Sequence, residues 1–179
     1  MIKTSPLLKH VATIDVPAIT LFPCDNNRES HFQPRGFQFE AGKGVDRGIL
    51  FRGEDFIRRI LPIREKNIPA TTLTLSELTR DAKNFRIAAE LNLDERGLVS
   101  LGHFYEVLFR QFNGEAGVLA TDGTIHVAYI LPPEECLGYH GDIWPVAAYL
   151  LKAGGWEVQA SSFASFEFGW TEGTRFLSR

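Results

Sequence analysis

The most regular apolar pattern in the chain lies in residues 100–131. Leu101, Phe104, Tyr105, Leu108 and Phe112 recur at the steps of three and four that align on one face of an α-helix. Ser100 is placed to cap this helix and Gly114 to stop it. A β-hairpin is predicted next, with strands Gly117–Ala120 and Ile125–Leu131 joined by Thr121-Asp122-Gly123-Thr124. Asp-Gly suits a tight hairpin loop because the central residues need positive φ, which Asp tolerates and Gly adopts freely. Ile125, Val127, Tyr129 and Leu131 share one face of the second strand, and Pro132-Pro133 end its ladder because proline has no N–H to donate. The core is expected to form around this helix and hairpin.

Elsewhere the pattern is shorter. Residues 10–22, rich in Val, Ile and Thr and broken at Pro17, predict an interrupted strand near a sheet edge. Pro23–Pro34 reads as a long polar loop. Phe37, Phe39 and Ala41 alternate as a strand, Gly42-Lys43-Gly44 turns, and Gly48–Arg52 returns. Glu54–Leu61 predicts a short helix stopped by Pro62, and Thr71–Leu75 an extended run. A helix capped at Thr74 or Ser76 is expected to reach Leu91, with Leu78, Ala82, Phe85 and Ala89 as its buried stripe. Another is expected from Ile143 to Ala153, with Asp142 as N-cap, Pro145 in the first turn and Gly154-Gly155 as the stop. Trp156–Ser161 and Ser165–Trp170 read as closing strands. This order predicts a single α+β domain over residues 1–179, with a mostly antiparallel sheet and about four helices packed against it.

Composition narrows the class. With 44% hydrophobic residues and 14 Phe in 179 residues, the chain can bury a core without disulfide staples. Two cysteines are too few for a disulfide framework or a four-sulfur metal site. Lys3, Pro6, Lys9 and Asp15 interrupt any apolar N-terminal run, and no apolar run approaches the roughly 20 residues of a membrane helix. A cytoplasmic protein without membrane contact is therefore expected. Charge is uneven: residues 1–90 carry 14 Lys/Arg and 11 Asp/Glu, whereas residues 91–179 carry 5 and 11. A basic half at +3 and an acidic half at −6 are hidden in a net charge of −3.

The candidate catalytic residues are Cys136, His140 and Asp142, on the loop before the predicted helix at Ile143. A thiol activated by an imidazole, beside a helix N-terminus that favours an anion, would serve a small transferase or hydrolase. The bland reading is a capping Asp142, a loop His140 and a buried Cys136. His140 and Asp142 with His126 or His103 lack the spacing of a zinc site, so no metal is expected. His126 itself is expected to be a surface or otherwise satisfied histidine. Gly42-Lys43-Gly44 is too short for a phosphate loop, and no cofactor is expected. Gly138-Tyr139-His140-Gly141 resembles the acyl-CoA-binding turn of acetyltransferases, but the Arg or Gln that opens that turn is missing and Pro132-Pro133 occupy the strand before it. Membership of that family is not assigned.

The candidate binding residues form two basic groups. Arg52, Arg58, Arg59, Arg64 and Lys66 lie close in sequence, and Arg80, Lys83 and Arg86 are spaced as a stripe on the predicted second helix. Arginine binds phosphate through paired hydrogen bonds and counterion release, and exposed phenylalanine can stack on bases. Glu54, Asp55, Glu65 and Asp81 interrupt both groups, so solvated helix faces are the plain alternative. With no complete catalytic constellation, the leading expectation is a non-enzymatic binding protein. It would act as an accessory or inhibitory subunit on a nucleic acid, a nucleoprotein complex or an acidic protein. Two alternatives are a structural subunit meeting a basic partner through its acidic half, and homo-oligomers formed through the strands near Phe163, Phe166, Phe168 and Trp170.

Overall fold

The computed structural model describes residues 6–23, 49–51, 55–60, 63–93, 97–111, 114–131, 143–152, 154–161 and 169–179. In chain order the strands are β1 (Leu8–Val16), β2 (Ile19–Pro23), β3 (Ile49–Phe51), β4 (Arg64–Ile68), β5 (Thr71–Leu78), β6 (Ala82–Lys83), β7 (His126–Ile130), β8 (Trp144–Leu150), β9 (Trp156–Ala160), β10 (Gly169–Trp170) and β11 (Arg175–Ser178). The helices are α1 (Asn84–Leu91) and α2 (Leu101–Phe109), and a π-helical turn spans Phe56–Ile60. Seven strands make one sheet in the order β1-β5-β11-β7-β8-β9-β3, while β2 pairs with β4 and β6 with β10 as separate ribbons. The sheet is mixed, because β11 runs parallel to β7 and β3 parallel to β9. Sheet thus dominates an α+β arrangement, with two α-helices among the described residues where about four were expected. None of the described helices is long and apolar enough to cross a membrane.

Two cores sandwich this sheet, and strand alternation assigns each side chain to one of them. On the first face Leu73, Leu75, Ala128, Ile130, Val146 and Leu177 pack against α2 and the π-turn residues Phe56 and Ile60. On the second face Leu78, Val127, Tyr129, Phe176 and Trp170 pack against Ile87 of α1. All five residues of β7 are buried, as a strand covered on both faces requires. Helix α2 keeps its predicted start: the Ser100 hydroxyl accepts from the His103 amide at 3.2 Å. Gly114 keeps its positive φ of 78° in the turn beyond it.

The β2–β4 ribbon lies across the N-terminus of α2. Glu65, 8% exposed, points inward and accepts from the Leu101 and Gly102 amides at 2.9 and 2.7 Å, satisfying N–H groups that a helix start leaves open. Burial pushes its carboxyl pKa up while these two bonds pull it down. Gly102 permits the close approach, since a Cβ there would stand 2.8 Å from the Ile68 side chain and 3.1 Å from that of Ile19.

Several expectations are corrected. The hairpin at Asp122-Gly123 does not form, because β8 and β11 occupy both edges of β7. Asp122 instead accepts from the Thr124 amide at 3.0 Å in a local side-chain turn. The backbone near Leu119 is satisfied by buried Gln111, whose amide group donates to Leu119 O at 2.9 Å and accepts from Leu119 N at 2.7 Å. The predicted helix from Ile143 is strand β8: Trp144, Val146 and Ala148 alternate into the first core and Ala147 into the second. Gly154 and Gly155, with φ of 91° and 84°, turn β8 into β9 rather than ending a helix. The predicted helix from Thr74 or Ser76 begins only at Asn84, since Thr71–Leu78 is strand throughout. Its buried side is Asn84 and Ile87, so Phe85 faces outward. Within the predicted Glu54–Leu61 helix, Phe56–Ile60 forms the π-turn. Strand β11 has no counterpart in the sequence reading. Phe37–Ala41 lies outside the described residues.

Two outcomes test this arrangement. Leu177 of β11 is fully buried, and Leu177→Ala is expected to cost about 2–5 kcal/mol in chemical denaturation, from lost burial and the cavity left behind. His126 is fully buried beside Trp156 and donates from Nε2 to Ala120 O at 3.1 Å, while Nδ1 has no partner. Burial disfavours its cation and lowers its pKa from 6.5 to about 4. The unfolded chain therefore binds the extra proton between those values. Stability from His126 is fully present above pH 6.5 and falls by about 3 kcal/mol as the pH drops to 4. Denaturation midpoints across that range should be flatter for His126→Gln, with a residual slope from His103, whose pKa burial also lowers.

Candidate functional site

Antiparallel pairing of β11 with β5 sets the second face of the sheet in order. It draws the preceding strand β10 onto β6, so that Trp170 pairs with Ala82 and Gly169 with Lys83. The turn between β10 and β11 is pinned where Asp81 accepts from the Glu172 amide at 2.8 Å. Chain segments 80–91 and 169–175 therefore form one surface.

Asn84, the first residue of α1, is the buried joint beneath it. It is 1% exposed, and its side-chain oxygen accepts from the Trp170 indole N–H at 2.7 Å and from the Tyr129 hydroxyl at 3.0 Å. The Tyr129 phenol is raised well above its ordinary pKa by burial, so it stays a donor. Asn84 Nδ2 is buried without a partner. One amide thus ties the helix, the central strand β7 and the β10 ribbon together.

Above this joint Phe85 is 53% exposed, the one aromatic among the large exposed hydrophobic residues described. An open cleft of about 420 Å³ lies on one side of it, lined by Asp81, Lys83, Phe85, Arg86, Trp170 and their neighbours. A second cleft of about 460 Å³ is lined by Leu7, Arg80, Phe85, Arg86, Ala89 and Glu90. Phe85 and Arg86 are walls of both. Arg80, Lys83 and Arg86 oppose Asp81 and Glu90 around the clefts, and Asp81 is already engaged by the Glu172 amide. Arg86 enters no ion pair or hydrogen bond among the described residues.

The second basic group of the sequence is thus brought together, though not as a helical stripe. Arg80 follows β5, Lys83 ends β6 at the N-cap of α1, and only Arg86 lies within the helix. The described side chains of the first group, Arg59, Arg64 and Lys66, belong to the opposite face of the sheet. Arg64 and Lys66 point outward from β4 while Glu65 between them points inward. Arg59 stands on the π-turn with its guanidinium carbon 5.0 Å from the centre of the Trp144 ring and Nε 3.6 Å from Asp55. A contact of that kind makes Arg59 a packing residue. Arg52 and the side chain of Arg58 lie outside what is described.

Cys136, His140 and Asp142 also lie outside the described residues. The helix that was to lower the thiol pKa is strand β8, so its dipole is not there to favour an anion. His103 and His126 each spend Nε2 on a backbone carbonyl, of Pro17 and Ala120. Among the described residues no three His, Cys, Asp or Glu side chains converge as metal ligands. Of the two alternatives for His126, surface or satisfied, the surface one does not hold, because β7 is covered on both faces; a carbonyl bond satisfies one of its ring nitrogens.

The pattern along the chain places Phe85 in a core stripe and Trp170 in a closing strand offered for self-association, and gives Asn84 no role. The usable signal was the alternation of Leu73 and Leu75 with threonines: carried through Leu78 it keeps Thr71–Leu78 extended and delays the helix to Asn84. Compared with protein families, characterised proteins and solved structures, the chain matches none.

Asn84→Ala is expected to remove the oxygen that the Trp170 indole and the Tyr129 hydroxyl share and to cost about 1–3 kcal/mol in thermal or chemical denaturation. The Phe85→Ala change, on the same helix but exposed, should stay within about 0.5 kcal/mol of the parent chain.

Proposed function

We propose that this protein acts by binding, and that the surface around Phe85 holds an anionic macromolecule. One observation carries the reading: an exposed aromatic ring stands between two clefts whose rims carry Arg80, Lys83 and Arg86. A half-exposed phenylalanine leaves apolar area in water that a partner would cover. Arginine and lysine beside it supply charge-assisted bonds to phosphate or carboxylate oxygens. The ring is also supported from beneath, since Asn84 holds the start of α1 to β7 and β10 through buried hydrogen bonds. Support of that kind keeps a contact surface in shape before the partner arrives.

The other basic group supports the reading less well. Arg59 is occupied by Trp144 and Asp55, and Arg64 and Lys66 flank the exposed Leu21 on a two-stranded ribbon. The two groups lie on opposite faces, so one flat partner does not span both.

Charge reversal separates the faces. Arg86→Glu is expected to weaken binding of polyphosphate or heparin about tenfold at low salt, whereas Arg64→Glu with Lys66→Glu leaves it nearly unchanged. Titration calorimetry measures the affinities, and unchanged denaturation curves show that each variant is folded. The opposite pattern would move the site to the β2–β4 ribbon. No binding to either polyanion or to an oligonucleotide would remove the proposal.

A further inference from the structure

We infer that the partner at this surface is a single-stranded nucleic acid, with one base stacked on Phe85 and the strand crossing from one cleft to the other past Arg86. The inference rests on the binding reading above and narrows its anionic partner to one chemistry.

Three features favour a single strand. The first is the aromatic lining: Phe85 and Trp170, from α1 and β10, border the same cleft, and a nucleobase offers a flat face to such walls. An acidic peptide would satisfy the arginines but carries an aromatic group only where its sequence supplies one, whereas every nucleotide sets a flat base beside its charge. The second is the order of charge. Lys83 and Arg86 rim the first cleft, Arg86 and Arg80 the second, so a backbone running across Phe85 meets cations in sequence. The third is accessibility. Phe85 projects from a surface helix with about half its area open, and stacking on it needs a base that is not already stacked between neighbours. A duplex presents no such face, so its phosphates would reach the arginines without using the ring.

The roles differ. Phe85 supplies contact that is independent of salt, whereas Arg80, Lys83 and Arg86 supply contact that weakens as salt displaces them from phosphate. Trp170 is 7% exposed and bonded to Asn84, so it forms a wall of the cleft and moves little.

The test uses the full chain and fluorescein-labelled oligonucleotides of one length, single-stranded and duplex, in anisotropy titrations across a salt series. The single strand is expected to bind at least about tenfold more tightly than the duplex at equal salt, in line with the worth of one stacked base. Phe85→Ala should remove most of that preference and leave the slope of log affinity against log salt unchanged. Arg86→Gln should lower that slope by about 0.7, the loss of one phosphate contact on a single strand. Both side chains are exposed, so the variants fold. Equal affinity for duplex and single strand, or a Phe85→Ala variant that binds like the parent, overturns the inference. Binding of polyphosphate or polyglutamate, lost in Arg86→Glu and without affinity for oligonucleotides, overturns this inference and leaves the broader reading standing. No binding of any of these polyanions removes both.

Discussion

The insertion of β11 between β5 and β7 is the constraint on which the rest of the described structure depends. Four residues near the C-terminus fill a central position in a seven-stranded sheet, with an antiparallel ladder on one side and a parallel one on the other. Their side chains divide between the two cores: Phe176 stacks on Tyr129 and meets Trp170 edge-on, while Leu177 enters the core built around α2. A strand so placed completes the backbone hydrogen bonding of both neighbours, and without it β5 and β7 would face each other across an unpaired gap. These ladders join residues about fifty to a hundred positions apart, so closing the sheet costs more chain entropy than its local turns.

From that insertion the surface around Phe85 follows. Pairing β11 with β5 carries β10 to β6, and Trp170 comes within 2.7 Å of Asn84. The buried amide then serves two donors at once, on the helix, the central strand and the ribbon. A core polar residue of this kind favours one arrangement, because a slip takes the indole N–H and the phenol O–H away from the oxygen they share. Meanwhile Phe85 is turned away from the core that its sequence neighbours Asn84 and Ile87 enter. Exposure of the ring is thus a consequence of helix phase, and that phase is set by Asn84.

The first core is held by different means. Glu65 and Gly102 bind the β2–β4 ribbon to the start of α2, one by a carboxylate on two amides and the other by the absence of a side chain. The charges on either side of Glu65 point to water, so the ribbon's alternation explains why a basic stretch can contain a buried acid. Division of the arginines between two faces has the same origin. Residues near each other along the chain are separated by the thickness of the sheet.

By itself the sequence determined the elements whose signals are local. The start of helix α2 with its Ser100 cap, the break between β1 and β2 at Pro17, and the extended runs Ile49–Phe51, Thr71–Leu75 and Trp156–Ala160 follow from spacing or capping within a few residues, whereas α2 ends at its Arg110 C-cap, ahead of the stop expected at Gly114. It also marked Arg80, Lys83 and Arg86 as a group. Tertiary structure decided what rests on partners distant in the chain. Residues 144–150 contain Val, Ala, Tyr and Leu in an order that a helix or a buried strand can use, and only the presence of β7 and β9 on either side makes them a strand. The Asp122-Gly123 turn had the residues for a hairpin, yet β7 found better-buried partners in β8 and β11. Strand β11 carries too few residues for a periodic signal, and the roles of Asn84, Phe85 and Trp170 exist only once it is in place. Local propensities are worth tenths of a kilocalorie per residue, whereas a fully buried side chain contributes about 1.5–3 kcal/mol, so burial between layers overrides propensity wherever the two disagree.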